Sequence, residues 1–198
     1  MTPSPKATDF KANQQMPAGA AQQAEESTFL TDVVALRDRA RQHIEDGVLT
    51  SGYGLDPEVA VNILNAALAT ELVCVLRYRQ HAFVATGINS EPIAAEFLVH
   101  SNEELGHADQ IAKRIVQLGG SPEMDPARLT GRSHAEYVTC DTLKDMIREN
   151  LIAERIAIES YREMIRFFGD RDPTTRHMLV GILATEEEHA DELADLLS

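Results

Sequence analysis

Two cysteines, Cys74 and Cys140, are all that the 198 residues contain. They are too few for a disulfide framework or a cysteine-based zinc site. Aromatic residues make up only 5%, with 11 Gly and 8 Pro, which argues against a β-sandwich built from many turns and aromatic-rich strands. Positive charge is also scarce: 18 Lys and Arg stand against 32 Asp and Glu, a net charge of −14. That balance opposes phosphate binding, so DNA is not an expected partner; it suits a surface or cavity that attracts cations. No apolar run approaches the roughly 20 residues of a membrane span, and the N-terminus lacks a secretory apolar stretch. A reducing, cytoplasmic compartment and no membrane are expected.

What is present is one domain's worth of core-forming chain, 43% hydrophobic and 25% charged. Residues 1–27, rich in Ala, Gln, Pro and Ser, read as a flexible tail that cannot bury enough surface to offset ordering. Residues 28–54 read as a short helix, from about Phe29 to Asp46, and a Gly-rich linker. The bundle proper is expected over 55–198. Asp56-Pro57 supplies an N-cap and a first-turn proline, opening a helix that Gly87 breaks. Ser90-Glu91-Pro92 opens a second helix, which ends at Gly119-Gly120. Residues 119–138 hold Pro122, Pro126 and Gly131 and read as a long crossover. Asp141 is positioned to cap a third helix to Phe168, and Asp172-Pro173 starts a fourth. Four long helices, paired by short loops and joined by one long connection, describe an all-α four-helix bundle.

Such a core should be apolar, yet every long helix carries a glutamate on its apolar stripe: Glu71, Glu104, Glu154 and Glu186. Four buried carboxylates cannot all stay ionised without a compensating cation. Helix two adds His107 three residues after Glu104, and helix four adds His189 three residues after Glu186, each on its glutamate's face. The midpoint of Glu71 and Glu104 falls beside Gly87, and that of Glu154 and Glu186 falls on Asp170. Each pair is therefore level across its hairpin, about 24 Å from the turn at 1.5 Å rise per residue. One Glu-x-x-His is weak evidence in an acidic helical chain. Two of them, each matched to an upstream core glutamate across a centred turn, form an internal repeat. Four carboxylates and two imidazoles suit two adjacent cations, and oxygen-rich ligation favours iron or manganese over structural zinc. Each histidine's second ring nitrogen needs a partner; Asp109 and Asp191 are the neighbours in sequence.

On these residues the chain resembles the ferritin-like di-iron superfamily, and within it the bacterioferritin-type site, over about residues 58–198. The resemblance implies two iron ions per subunit, manganese being the alternative. Glu71 and Glu154 would be terminal ligands, Glu104 and Glu186 would bridge, and His107 and His189 would each ligate one metal. Tyr78, seven residues after Glu71, matches a family tyrosine that can supply an electron; as a residue it also reads as an ordinary core aromatic. The position that carries a haem-binding methionine in bacterioferritins is Leu105, so haem is not expected. The sequence ends nine residues after His189, without room for the fifth helix of 24-subunit ferritins, which implies a homo-oligomeric, Dps-like cage of 12 subunits rather than 24. Ala157 stands where rubrerythrins carry a further glutamate. Cys140, about 21 Å before Glu154 on an ideal helix, is not expected to pair with Cys74. His100, one turn before Glu104, is a candidate for a nearby transit site.

The activity implied is that of a ferroxidase within an iron-storing cage, oxidising Fe(II) with O2 or H2O2. The alternative is a non-storing di-iron or di-manganese peroxide-reducing enzyme of rubrerythrin or manganese-catalase type. A cage taking up many irons favours the first, a small oligomer stopping at two metals per chain the second.

Overall fold

The computed structural model describes residues 32–198; the expected N-terminal tail and the start of the first helix lie outside the described residues. The chain divides into two compact units at Ile44/Glu45. In the first, Asp32 accepts from the backbone N–H of Val34 and Ala35 and caps α1, Val33–Ala40. This helix ends earlier than its expected limit at Asp46. The backbone turns left-handed at His43 (φ 51°), which interrupts the helical ladder, and only a single 3-10 turn, Ile44–Asp46, follows.

The second unit holds the bundle: α2 (Pro57–Val84), α3 (Ser90–Gln117), α4 (Pro126–Arg132), α5 (Leu143–Phe168) and α6 (Pro173–Asp195). Helix α2 starts as the Asp-Pro signal demands, with the Asp56 carboxylate accepting from Glu58 N–H at 2.9 Å. It ends at Val84, where Ala85 leaves the helical conformation, short of the expected break; Gly87, whose φ of 119° favours glycine, lies in the turn that follows. The cap of α5 is Thr142, not Asp141: its hydroxyl accepts from Asp145 N–H and donates to the Asp145 carboxylate. Asp172 caps α6 by accepting from Thr175 N–H at 2.9 Å. The crossover is more ordered than its prolines suggest, because Asp125-Pro126 repeats the cap-and-proline start and launches α4, which rests on α2.

Hairpin α2–α3 and hairpin α5–α6 form the two halves of the bundle, with α2 also meeting α5 and α3 meeting α6. Two apolar clusters fill the interior. One is built on Leu64, Leu68, Ile111, Ile115, Tyr161, Phe168 and Leu179, the other on Cys74, Tyr78, Phe97, Met146, Ile147 and Leu193. On every long helix the glutamate of the repeat falls between the residues of these two clusters. Helix α2 is long and apolar enough to cross a membrane by length and composition, contrary to the reading of the sequence; its apolar face is accounted for by this packing, in which it also buries Glu71 and Arg77.

Two polar ties join the hairpins on either side of that level. Arg114 of α3 donates from Nη2 to both Asp172 oxygens (2.9 and 3.0 Å) and from Nε to Thr175 Oγ1 (2.8 Å). Arg77 of α2 donates to Asn150 Oδ1 of α5 (3.1 Å) and to the Glu136 carbonyl of the crossover (2.9 Å).

Candidate metal centre

All six repeat residues meet between the two apolar clusters, none more than 6% exposed. Ligand-type atoms of Glu71, Glu104, His107 and Glu186 form one group in which all lie within 4.8 Å of one another, and atoms of Glu104, Glu154, Glu186 and His189 form a second. Glu104 and Glu186 belong to both. Each hairpin supplies three of the six residues, so neither half of the chain can build the site alone.

The centre is rich in polar atoms that have no hydrogen-bond partner: Glu71 Oε2, Glu104 Oε1, both Glu186 oxygens, and Nδ1 of both His107 and His189. His107 Nδ1 lies 3.0 Å from Glu186 Oε1 and 3.3 Å from Glu71 Oε2, close enough for an ionic contact but without hydrogen-bond alignment. Buried polar atoms are rarely left this way, because each costs on the order of 1–3 kcal/mol. Here their lone pairs converge, and a pair of cations fits the donor set. Without cations the electrostatics are strained. Burial, then the neighbouring Glu104, pushes the Glu71 carboxyl up to about 8. Burial and the charges of Glu104 and Glu186 raise Glu154 well above the carboxylate range. For the histidines burial opposes charge, but the surrounding carboxylates outweigh it and push His107 up to about 12 and His189 to about 11.

The outer carboxylates are held by two tyrosines in a crossed arrangement. Tyr78 of α2 donates its hydroxyl to Glu154 of α5, and Tyr161 of α5 donates to Glu71 of α2. Tyr161 escaped the sequence reading, although it follows Glu154 by the same seven residues that separate Tyr78 from Glu71. The partner of His189 is neither of the expected aspartates: Nε2 donates to Glu103 Oε2 of α3 at 2.8 Å, which aims Nδ1 at the centre. His100 is fully buried and stacks on His189 with ring centroids 4.1 Å apart. Its Nδ1 is 3.3 Å from the Tyr78 hydroxyl and its Nε2 2.8 Å from Glu192 Oε2.

Leu105 is partly exposed and offers no ligand atom. Cys74 is buried and Cys140 half-buried; Cys140 precedes the Thr142 cap of α5, so the helix-based distance reckoning does not apply to it. Both pack into the same apolar cluster as free thiols.

Comparison with known proteins places this architecture. The ferritin-like domain family matches residues 61–198. A bacterioferritin from Rhodobacter capsulatus is 30% identical over 142 residues, covering 70% of this chain and 82% of the relative. A DNA protection during starvation protein from Pyrococcus furiosus is 28% identical over 158 residues, covering 76% of this chain and 83% of the relative. Among solved structures, a dodecameric thioferritin, the bacterioferritin-related protein of Bacteroides fragilis, superposes with a TM-score of 0.70 at 35% identity, covering 73% of this chain and 87% of that one. On the strength of the bundle, the match over most of its length and these relatives, the chain belongs to the ferritin-like family.

Proposed function

We propose that the protein is a ferroxidase that takes up two Fe(II) ions per chain, oxidises them with O2 or H2O2, and stores the ferric product inside a homo-oligomeric cage in the cytoplasm. The observation that carries this reading is the convergence of partnerless, buried ligand atoms from four glutamates and two histidines. Glu104 and Glu186, common to both groups, are the bridging ligands in this reading. Glu71 with His107 serves one position, and Glu154 with His189 the other.

Bound side by side, two Fe(II) ions supply one electron each, and peroxide takes both with two protons to leave two waters. The chain's own residues fix the geometry. Tyr78 and Tyr161 hold the outer carboxylates by hydrogen bonding, and Glu103 fixes the tautomer of His189. The apolar clusters on either side exclude bulk water. Where O2 is the oxidant, it takes four electrons to reach water and the two Fe(II) ions supply two; Tyr78, in hydrogen-bond contact with Glu154, is the proposed source of a third. Leu105 gives no support to haem binding.

Self-association has its own support. Exposed large apolar side chains are concentrated on the α2–α3 hairpin, including Leu76, Phe83, Val84, Ile88, Val99 and Leu105, a surface suited to burial against other copies. The dodecameric state named for the Bacteroides relative favours 12 subunits. Size-exclusion chromatography combined with iron loading tests the function: a large particle holding many irons per chain is expected. A small oligomer that stops at two metals per chain would replace storage with the peroxide-reducing alternative.

A further inference from the structure

Beside the metal centre, on its His189 side, a second set of ligand-type groups comes together that the repeat does not contain. Glu96 and His100 lie one turn apart on α3, and Glu192 faces them from α6; one ligand atom from each lies within 4.8 Å of the others. His100 Nε2 is 2.8 Å from Glu192 Oε2 and 3.5 Å from Glu96 Oε1. The imidazole is wholly buried, whereas the two carboxylates are close to half exposed. The set therefore opens to solvent at its acidic end and ends inward on a nitrogen.

The hydrogen bonding at the other ring nitrogen sharpens the chemistry. Nδ1 lies 3.3 Å from the hydroxyl of Tyr78, whose proton goes to Glu154. Nε2 faces both carboxylates, 2.8 Å from Glu192 and 3.5 Å from Glu96, so a cation held there would take the place of a ring proton. Three electron-rich groups facing one another from two helices are a ligand set for a hard or borderline divalent cation. Ligand atoms of His100 also group with those of Glu154 and His189, so the donors run without a gap from the surface to one of the two central positions. The other half of the repeat has nothing similar. The residues that correspond to Glu96, His100 and Glu192 there are Met178, Ile182 and Gln110.

We propose that Glu96, His100 and Glu192 form a third divalent-cation site, which captures Fe(II) at the surface and passes it to the position served by Glu154 and His189. The capture site stands on its own geometry; the handover rests on the ferroxidase reading above.

The test is an anaerobic titration of the full-length protein with Co(II), counting bound ions by equilibrium dialysis and following the visible absorption. Wild type should bind three ions per chain, and the Glu96→Gln, Glu192→Gln double variant two, since both side chains are partly exposed and their replacement leaves the core intact. Two ions in both proteins, or three in both, overturns the site and leaves the central pair untouched. If Glu104→Ala with Glu186→Ala removes the central ions while one ion that depends on Glu96 and Glu192 remains, the site is upheld as separate. One ion in wild type, lost with Glu96 and Glu192, would uphold this site and sink the di-metal reading instead. For the handover, Fe(II) oxidation at limiting iron should slow roughly tenfold in the Glu96→Gln, Glu192→Gln variant, the loss expected when a charged entry no longer concentrates its substrate, with the same final extent. An unchanged rate with the third ion gone would refute the handover.

Discussion

The two halves of the metal centre are built by one repeat and finished differently. The Glu71–His107 half and the Glu154–His189 half share Glu104 and Glu186, and each has a tyrosine reaching across from the opposite hairpin. Around that common frame they diverge. His189 leans on Glu103 and stacks against His100. His107 has Thr185 at the position matching Glu103, and among the described residues no side chain accepts from its Nε2. Tyr78 continues through His100 to the surface carboxylates, while the corresponding surroundings of Tyr161 are Ile182 and Met178, in the apolar cluster or packed against it. A repeated helical hairpin fixes where the ligands stand. The surrounding side chains differ: one position adjoins donors that run to the surface, the other an apolar cluster.

The largest effect should come from abolishing what the halves have in common. Glu104→Ala with Glu186→Ala is expected to remove rapid Fe(II) oxidation, by at least about a hundredfold, while circular dichroism stays helical; wild-type oxidation rates in that variant would refute the ligand assignment. Acid should come next. In the empty protein both histidines hold protons at neutral pH, since the carboxylates raise them to about 12 and about 11, and a ligating imidazole must lose its proton. Loading both positions therefore releases these two protons, and a further one from Glu71, which is held up at about 8; affinity should fall as pH falls by about a hundredfold per unit or more. Co(II) binding measured between pH 8 and pH 6 reads this slope; a flat profile would contradict it.

A smaller change separates the halves. Glu103→Gln should weaken one ion and spare the other, by about tenfold for loss of a histidine-orienting partner, seen as a titration that splits into two steps. Equal weakening of both ions would mean that Glu103 acts through general charge. The smallest contrast is between the tyrosines. Tyr78→Phe and Tyr161→Phe each remove a hydrogen bond to an outer glutamate, costing about 1–3 kcal/mol if the carboxylate oxygen is left unsatisfied. Only Tyr78→Phe should also alter the stopped-flow time course of oxidation, because only Tyr78 connects onward to His100. Identical traces for the two variants would erase the asymmetry.

The polarity pattern carried most of this arrangement in the sequence. Four acidic residues on apolar stripes, level across two turns, mark where the six side chains meet, and the Asp-Pro starts mark α2 and α6. What stayed hidden depends on rotation between helices. The partner of His189 was sought next to it in sequence, at Asp191, but a buried ring points across the bundle, and Glu103 waits on α3. Tyr161 was legible as a second member of the +7 pattern, although its bond to Glu71 required knowing that α2 and α5 are neighbours. The early end of α1 followed from a left-handed residue, His43, that nothing in its composition signals.

The ties at Arg114–Asp172 and Arg77–Asn150 lie one on each side of the ligand level and involve no cation. They fix the two hairpins against each other through contacts in which none of the six residues takes part. The spacing of the carboxylates is thus set from outside their own group, and their mutual repulsion is left to favour any cation that enters.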